Sequence, residues 1–431
     1  MEIKELHLTN FRGFEQLDVV FPDRLAVFIG VNGAGKSAVL DAIGILFSQI
    51  IARSLRQAFN SSKKADIQLN FEDVRLGNEQ CKLEIKTIYN LHNYSQWDLA
   101  FPSNGKKVND DNELATYLAI KLKSPEEAIP VFAFYQSERI VSKLWYKGTY
   151  SSQLTQSSQS TQSSVYRNIF RTNFFYFDDF FNWFELEESY EDKIRLEGDF
   201  HYRNPKLEIV REALNNFLGK LSNASFSNLR VRKDRKGFLD TISSSLTISK
   251  NEKDLNISQL STGEKTTLLM VVDIAMRLAI ANSGNKSLYG EGIVLIDEID
   301  LHLHPQWQRE VISALLATFP NLQFIVTTHS PQVLSKVKKE SIFILEDGRL
   351  VKNVPNTYGR NASAILFEIF GVTDRPVEVQ EKINHCAALL EEENYTEAKA
   401  LLKELTYLLG ENDEAVVGAK TQLLFDNQMV D

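Results

Sequence analysis

The run Gly30-Val31-Asn32-Gly33-Ala34-Gly35-Lys36-Ser37 constrains the fold more than any other stretch of this chain. Before it lies an apolar run, Leu25 to Ile29, that reads as a buried strand; Ser37 to Leu46 after it reads as a helix. The glycines therefore fall in a tight strand-to-helix turn, which commits this part of the chain to α/β architecture. There they let backbone N–H groups curl around a phosphate with no Cβ in the way. Lys36 is expected to reach the β- and γ-phosphate oxygens of a nucleoside triphosphate, and the Ser37 hydroxyl to hold Mg²⁺. The helix N-terminus adds partial positive charge. Asn32, Gly33, Gly35, Lys36 and Ser37 are thus the first candidate nucleotide-binding residues.

The chain has 431 residues, room for two or three packed units, and its 43% hydrophobic content supplies their cores. A net charge of −9 argues against a surface that coats nucleic acid non-specifically, though not against a local basic groove. Cys81 and Cys386 lie far apart and form no metal-ligand pattern, which suits a reducing cytosol. The first residues carry no apolar stretch of signal-peptide length, and no apolar run is expected to reach bilayer-spanning length. A cytoplasmic protein without a membrane partner is the expectation.

Four segments emerge along the chain. Residues 1–140 look strand-rich around one helix, with Lys82 to Thr87 alternating as an antiparallel strand and Pro130 to Tyr135 as an apolar one. Residues 141–255 begin with a Ser/Gln/Thr tract, Ser151 to Ser164, that cannot bury a core and reads as a linker. An aromatic stripe follows, Asn168 to Phe184, whose near-helical spacing reads as core, and then a helix over Glu208 to Leu221. Asn228 to Lys250 reads as a β-hairpin with a basic tip of Arg230, Arg232, Lys233, Arg235 and Lys236. Residues 256–375 return to α/β character. Residues 376–431 read as three short helices, Glu378 to Glu392, Tyr395 to Leu409 and Asp413 to Phe425, forming an interaction tail.

Four further motifs belong with the loop. Gly292 to Ile296 is an apolar strand ending in Asp297-Glu298, where Asp297 is expected to hold Mg²⁺ and Glu298 to orient the attacking water as general base. Leu260-Ser261-Thr262-Gly263-Glu264-Lys265 opens an apolar helix. The backbone amides and the Ser261 hydroxyl there suit a γ-phosphate, although Ser261 and Glu264 read equally well as a capping box. Gln323 to Thr327 is a strand that delivers Thr328-His329-Ser330-Pro331, and His329 at its end is placed to donate to a γ-phosphate. Leu301-His302-Leu303-His304-Pro305 invites a zinc reading, but nothing completes a ligand set, so a loop contact across a dimer is preferred.

In this order, phosphate loop, signature, Asp-Glu strand and strand-end histidine, the motifs resemble those of ABC-type ATPases. About 220 residues separate Ser37 from Ser261, as in the SMC, RecF and OLD branch, and Asn10-Phe11-Arg12-Gly13-Phe14 matches that branch's NFR-x-F opening. The resemblance implies an α/β ABC ATPase head, mixed β-sheets with flanking helices, carrying a helical insertion and a C-terminal helical tail. It implies ATP and Mg²⁺ as cofactors, Arg12 near the nucleotide, and Gln136 as the residue sensing Mg²⁺ and γ-phosphate. LHLHPQWQ, TTHSPQVL and the acidic tail are similar to the ATPase subunits of Septu anti-phage systems. Those act with a separately encoded HNH nuclease.

No nuclease centre is expected in this chain. About 100 residues follow His329 and contain no Asp-x-Asp, and His92, His201 and His385 form no H-N-H arrangement. The ABC resemblance also implies that Ser261, Thr262, Gly263 and Glu264 close over the nucleotide of a second copy, giving a homodimer or a higher even-numbered oligomer. The rival expectation is a RecF- or SMC-like DNA-repair or maintenance ATPase, binding DNA directly through the basic tip.

Overall fold

Strands buried on both faces of a sheet must be apolar throughout, and four such segments form the centre of this structure. They are LAVFI, VFAFY, GIVLI and LQFIVT, buried at every position. The computed structural model describes residues 1–60, 65, 67–90, 93–102, 112–124, 126–137, 162–167, 169–170, 177–221, 226–236, 241–282, 287–372 and 375–428. The chain separates into two compact units, Met1–Arg360 and Asn361–Asp431.

In chain order the first unit contains β1 (Glu2–Phe11), β2 (Phe14–Val20), β3 (Leu25–Ile29), α1 (Lys36–Phe59), β4 (Cys81–Tyr89), β5 (Asn93–Phe101), α2 (Asn112–Lys123) and β6 (Val131–Tyr135). It continues with α3 (Phe177–Leu196), α4 (Pro205–Leu221), β7 (Phe226–Lys236), β8 (Thr241–Lys250), β9 (Lys253–Asn256), α5 (Thr262–Ala281) and β10 (Gly292–Ile296). It ends with α6 (Pro305–Thr318), β11 (Leu322–Thr327), the single turn α7 (Pro331–Leu334), β12 (Ile342–Glu346) and β13 (Arg349–Leu350).

The central sheet has the order β13-β12-β3-β11-β10-β6, parallel from β12 to β6 with β13 antiparallel at one edge. A second, antiparallel sheet runs β2-β1-β4-β5, and the Lys82 to Thr87 alternation is its β4. The mixed sheets with flanking helices are therefore as expected. The hairpin of Asn228 to Lys250 is β7 with β8, extended by β9. The side chains of Arg235 and Lys236 at its tip lie outside the described residues, as do positions 151–161 of the Ser/Gln tract and 171–176 of the aromatic stripe. Of the stripe's described side chains, Phe170, Phe180, Phe181, Trp183 and Phe184 are core, all of them buried. The inserted helix α4 packs on α5 and α6.

One expectation needs correcting. α1 is long and apolar enough to cross a membrane by length and composition. It is nonetheless a core helix: 78% of its most apolar window is buried within the protein, with Val39, Leu40, Ile43 and Leu46 inaccessible or nearly so.

The second unit holds α8 (Ala362–Phe370), α9 (Val377–Glu391), α10 (Tyr395–Leu409) and α11 (Glu414–Gln428). The last three are the expected tail helices, and α8 is an addition. Their core gathers Cys386, Leu389, Leu390, Ala398, Leu402, Leu405, Val416 and Leu423. Arg375 clamps both Asp413 carboxylate oxygens at 3.0 Å, tying the start of α9 to the approach to α11.

Candidate nucleotide site

Four neighbouring parallel strands end at one level, and each delivers residues singled out from the sequence. β3 runs into the glycine loop, β11 into Thr328-His329, β10 into Asp297-Glu298 and β6 into Gln136. The register fixes the level: Ile296 lies beside Tyr135 and Val326, and Thr327 beside Phe28. Ligands of open α/β sheets bind beyond these carboxyl ends.

The loop's shape depends on glycine at Gly35, where φ is 98° and a Cβ would stand 2.4 Å from the Phe14 ring. Phe14 is wholly buried, so its ring forms the floor beneath Gly35. Asn32 and Gly33 are exposed at its tip. The Lys36 ammonium donates to the carbonyls of Gly30 and Val31 at 3.0 and 3.1 Å. Burial lowers its pKa from the ordinary value, although the charges of Asp297, Glu298 and Asp300 work the other way. Among the described residues no carboxylate makes a hydrogen bond with it, so a buried cation faces the loop without a counter-charge in contact. A phosphate fits that deficit.

Asp297 joins the strand ends. Its Oδ2 accepts from the Ser37 hydroxyl at 2.9 Å and its Oδ1 from the Thr327 hydroxyl at 2.5 Å, while its N–H donates to the Tyr135 carbonyl at 2.8 Å. The Ser37 and Asp297 oxygens form the kind of hard donor set that Mg²⁺ takes. Glu298 sits in the left-handed region, φ 48°, with its N–H on the Thr327 hydroxyl at 2.7 Å. Such a conformation is uncommon for a residue with a Cβ and here turns the carboxylate out of the strand's alternation. His329 is half-buried; burial, and then the charge of Lys36, hold its pKa below 6.5. Asp300 braces that turn, accepting from the Thr328 hydroxyl at 2.5 Å and the His329 N–H at 3.4 Å.

Arg12 and Gln136 converge on one residue that the sequence reading missed. Asp41 accepts from Arg12 Nη1 at 2.5 Å and from Gln136 Nε2 at 3.4 Å, and Arg12 Nε reaches Asp73 at 3.0 Å. Burial raises the Asp41 carboxyl, the charge of Asp297 adds to that, and Arg12 opposes it. The available signal was spacing: Asp41 lies four residues after Ser37 on α1, hence on the same face. Thr327 and Asp300 carried no comparable signal, since their roles arise only when two strands lie side by side.

The segment Ser261 to Glu264 forms the capping box that the sequence allowed. Ser261 Oγ accepts from the Glu264 N–H at 3.3 Å, Glu264 returns the bond to the Ser261 N–H at 3.0 Å, and Lys250 holds its other oxygen at 2.6 Å. Ser261 and Thr262 are exposed, whereas Gly263 is buried. A Cβ on Gly263 would stand 2.1 Å from the His302 carbonyl oxygen, so the Leu301–Pro305 loop packs on the start of α5 within the same chain. His304 caps α6 by accepting from the Gln306 N–H at 3.3 Å. The hydrogen bonds of Ser261 and Glu264 stay within the cap and its lysine, and none reaches the glycine loop.

Fold and site together are those of an α/β ATPase domain. The chain belongs to the AAA ATPase domain family, whose model matches residues 1–334. The chain is 29% identical to the "Retron Ec83 probable ATPase" of Escherichia coli, over 98% of this chain and 86% of that protein. Septu protein PtuA of Bacillus thuringiensis is 25% identical, over 91% of this chain and 90% of its own length. Among solved structures, an Smc head bound to the C-winged helix domain of ScpA aligns with 82% of this chain at 16% identity and a TM-score of 0.41.

Proposed function

We propose that this chain hydrolyses ATP as the nucleotide-controlled subunit of an anti-phage defence complex, and that two copies close around ATP to govern a separately encoded HNH nuclease. The observation that carries the ATPase reading is the convergence of Lys36, Ser37, Asp297, Glu298 and His329 at three adjacent strand ends. The PtuA relative, matched over nearly its whole length, supports the defence setting.

In this reading Lys36 and the N–H groups around Asn32, Gly33 and Gly35 hold the phosphates. Ser37 and Asp297 hold Mg²⁺, with Gln136 beside them; when bound, the ion offsets phosphate charge. Glu298 takes the proton of the attacking water, and His329, kept neutral by its surroundings, donates a hydrogen bond to the γ-phosphate. Arg12 contributes through Asp41, which already occupies its guanidinium. The exposed start of α5, with Ser261 and Thr262, presents its amides to the nucleotide of the second copy, while Gly263 and Glu264 fix that turn from behind.

Substituting Ser261→Arg tests the shared site. Turnover should vanish while a fluorescent ATP analogue still binds the variant near normally, and light scattering should show no ATP-dependent doubling of mass. Equal loss of binding and turnover would refute the assignment across two copies. Co-purification of the tagged chain with the HNH protein of its own operon tests the partner.

A further inference from the structure

A polar chain beneath the nucleotide site, with Tyr135 buried and Asp273 and Arg277 partly exposed, has no part in the roles assigned above. Tyr135 is the last residue of β6: its carbonyl receives the Asp297 N–H at 2.8 Å, and Gln136 follows it directly. Its hydroxyl donates to Asp273 Oδ2, on α5, at 2.7 Å. Arg277, one helical turn further along α5, donates from Nε to the same oxygen at 2.8 Å and from Nη1 to the Val165 carbonyl at 2.6 Å. A second Nη1 contact reaches the Arg167 carbonyl at 3.4 Å. Val165 and Arg167 lie where the chain enters the insertion. Gln162, in the same stem, donates to the Ala281 carbonyl at the far end of α5, at 3.0 Å.

We infer that Tyr135, Asp273 and Arg277 are positioning residues of the ATP site, transmitting the setting of α5 and of the insertion stem to the strand end that carries Gln136 and Asp297. The inference rests on the nucleotide-site reading above. Three observations argue for it over simple packing. An ion pair largely withdrawn from water, as Asp273–Arg277 is, gains little net stability over apolar residues of the same volume, so polar side chains here are not explained by stability alone. The Tyr135 hydroxyl and the Arg277 guanidinium share one Asp273 oxygen, so a shift of either helix or strand must break or drag the others. And the chain joins the two elements that the proposed mechanism needs to coordinate: α5, which begins at Ser261, and β6, whose final carbonyl holds the Asp297 backbone. Through it a partner bound to the insertion, or a second copy engaging α5, acquires leverage on the Mg²⁺ residues without touching them.

The test is steady-state ATP hydrolysis by the full chain across a Mg²⁺ titration. Tyr135→Phe removes one hydroxyl and leaves the packing, so it should fold. Its kcat should fall about tenfold, the kinetic equivalent of one buried hydrogen bond to a charged group. KM for ATP should stay near the wild-type value, and half-maximal rate should need more Mg²⁺. Asp273→Asn should do the same, and the double variant should be no slower than the worse single one, as members of one chain require. Wild-type kcat and Mg²⁺ dependence in Tyr135→Phe would overturn the relay, and so would full additivity in the double variant. Lys36→Ala serves as the separate check: if that variant still bound and hydrolysed ATP, the site reading itself would fall, whatever Tyr135→Phe did.

Discussion

At the scale of single residues, the site is organised around what burial does to charge. Glu298 is only partly buried and its backbone is held in a left-handed turn, which suits the proposed role of a base that faces water. Glu298→Gln should keep nucleotide binding and lower kcat by about a hundredfold or more, as loss of a general base does; unchanged phosphate release would remove it from that role. His329 gives a pH signature. Its folded pKa lies below 6.5 because it is buried and faces Lys36, so the folded chain takes up this proton less readily than the unfolded one. The linked stability is complete above about pH 6.5 and is lost as pH falls from there through the folded pKa. Urea unfolding of His329→Gln should therefore show a shallower decline between pH 7.5 and 5.5 (~ values bracketing the free imidazole). An equal slope in both proteins would contradict the assignment.

At the scale of elements, stability in the second unit depends on one amphipathic seam. Leu402 and Leu405 of α10 are buried against α9 and α11, and Leu405→Ala should destabilise this unit by about 2–5 kcal/mol. A melt followed by circular dichroism would show it, and an unchanged melting profile would argue against a packed three-helix unit. The same seam shows why some elements could be read from sequence. α10 begins and ends at the expected residues, Tyr395 and Leu409, because its apolar positions repeat at helical spacing between Asn394 and Gly410. The buried strands and the Ser261–Glu264 box were legible for the same reason: the signal is local. α8 escaped because its nine residues, ASAILFEIF, are apolar at most positions, so no polar face sets off a helical stripe. Asp41 escaped because its partners, Arg12 and Gln136, are 29 and 95 residues away. Long-range polar junctions of that kind exist only once β1, α1 and β6 have packed.

At the scale of the whole molecule, charge is distributed by unit. Residues 361–431 carry fourteen Asp or Glu against five Lys or Arg, which equals the chain's entire excess of −9 and leaves residues 1–360 neutral overall. A head without net charge adds no overall attraction or repulsion, whereas the acidic helical unit repels nucleic acid and attracts a basic protein surface. It also exposes Tyr407, Leu424 and Phe425, at 94%, 65% and 64%, so apolar anchors stand within the acidic field. In the proposed complex this unit is the docking element for the nuclease, and removing residues 361–431 should separate the two activities. The truncated chain should hydrolyse ATP within about twofold of the full chain, since every residue assigned to the site lies in the unit Met1–Arg360 and changes outside a site's own residues rarely shift its energetics by more than ~0.5 kcal/mol. It should no longer co-purify with the nuclease. For the full chain, association should weaken steeply between ~0.1 and ~0.5 M salt, where screening shortens the reach of the tail's charge. Tyr407→Ala should weaken it at both salt concentrations, because an apolar anchor is not screened. Retained co-purification by the truncated chain would place the nuclease on the head, and salt-independent binding would remove charge from the account of how the partner is chosen.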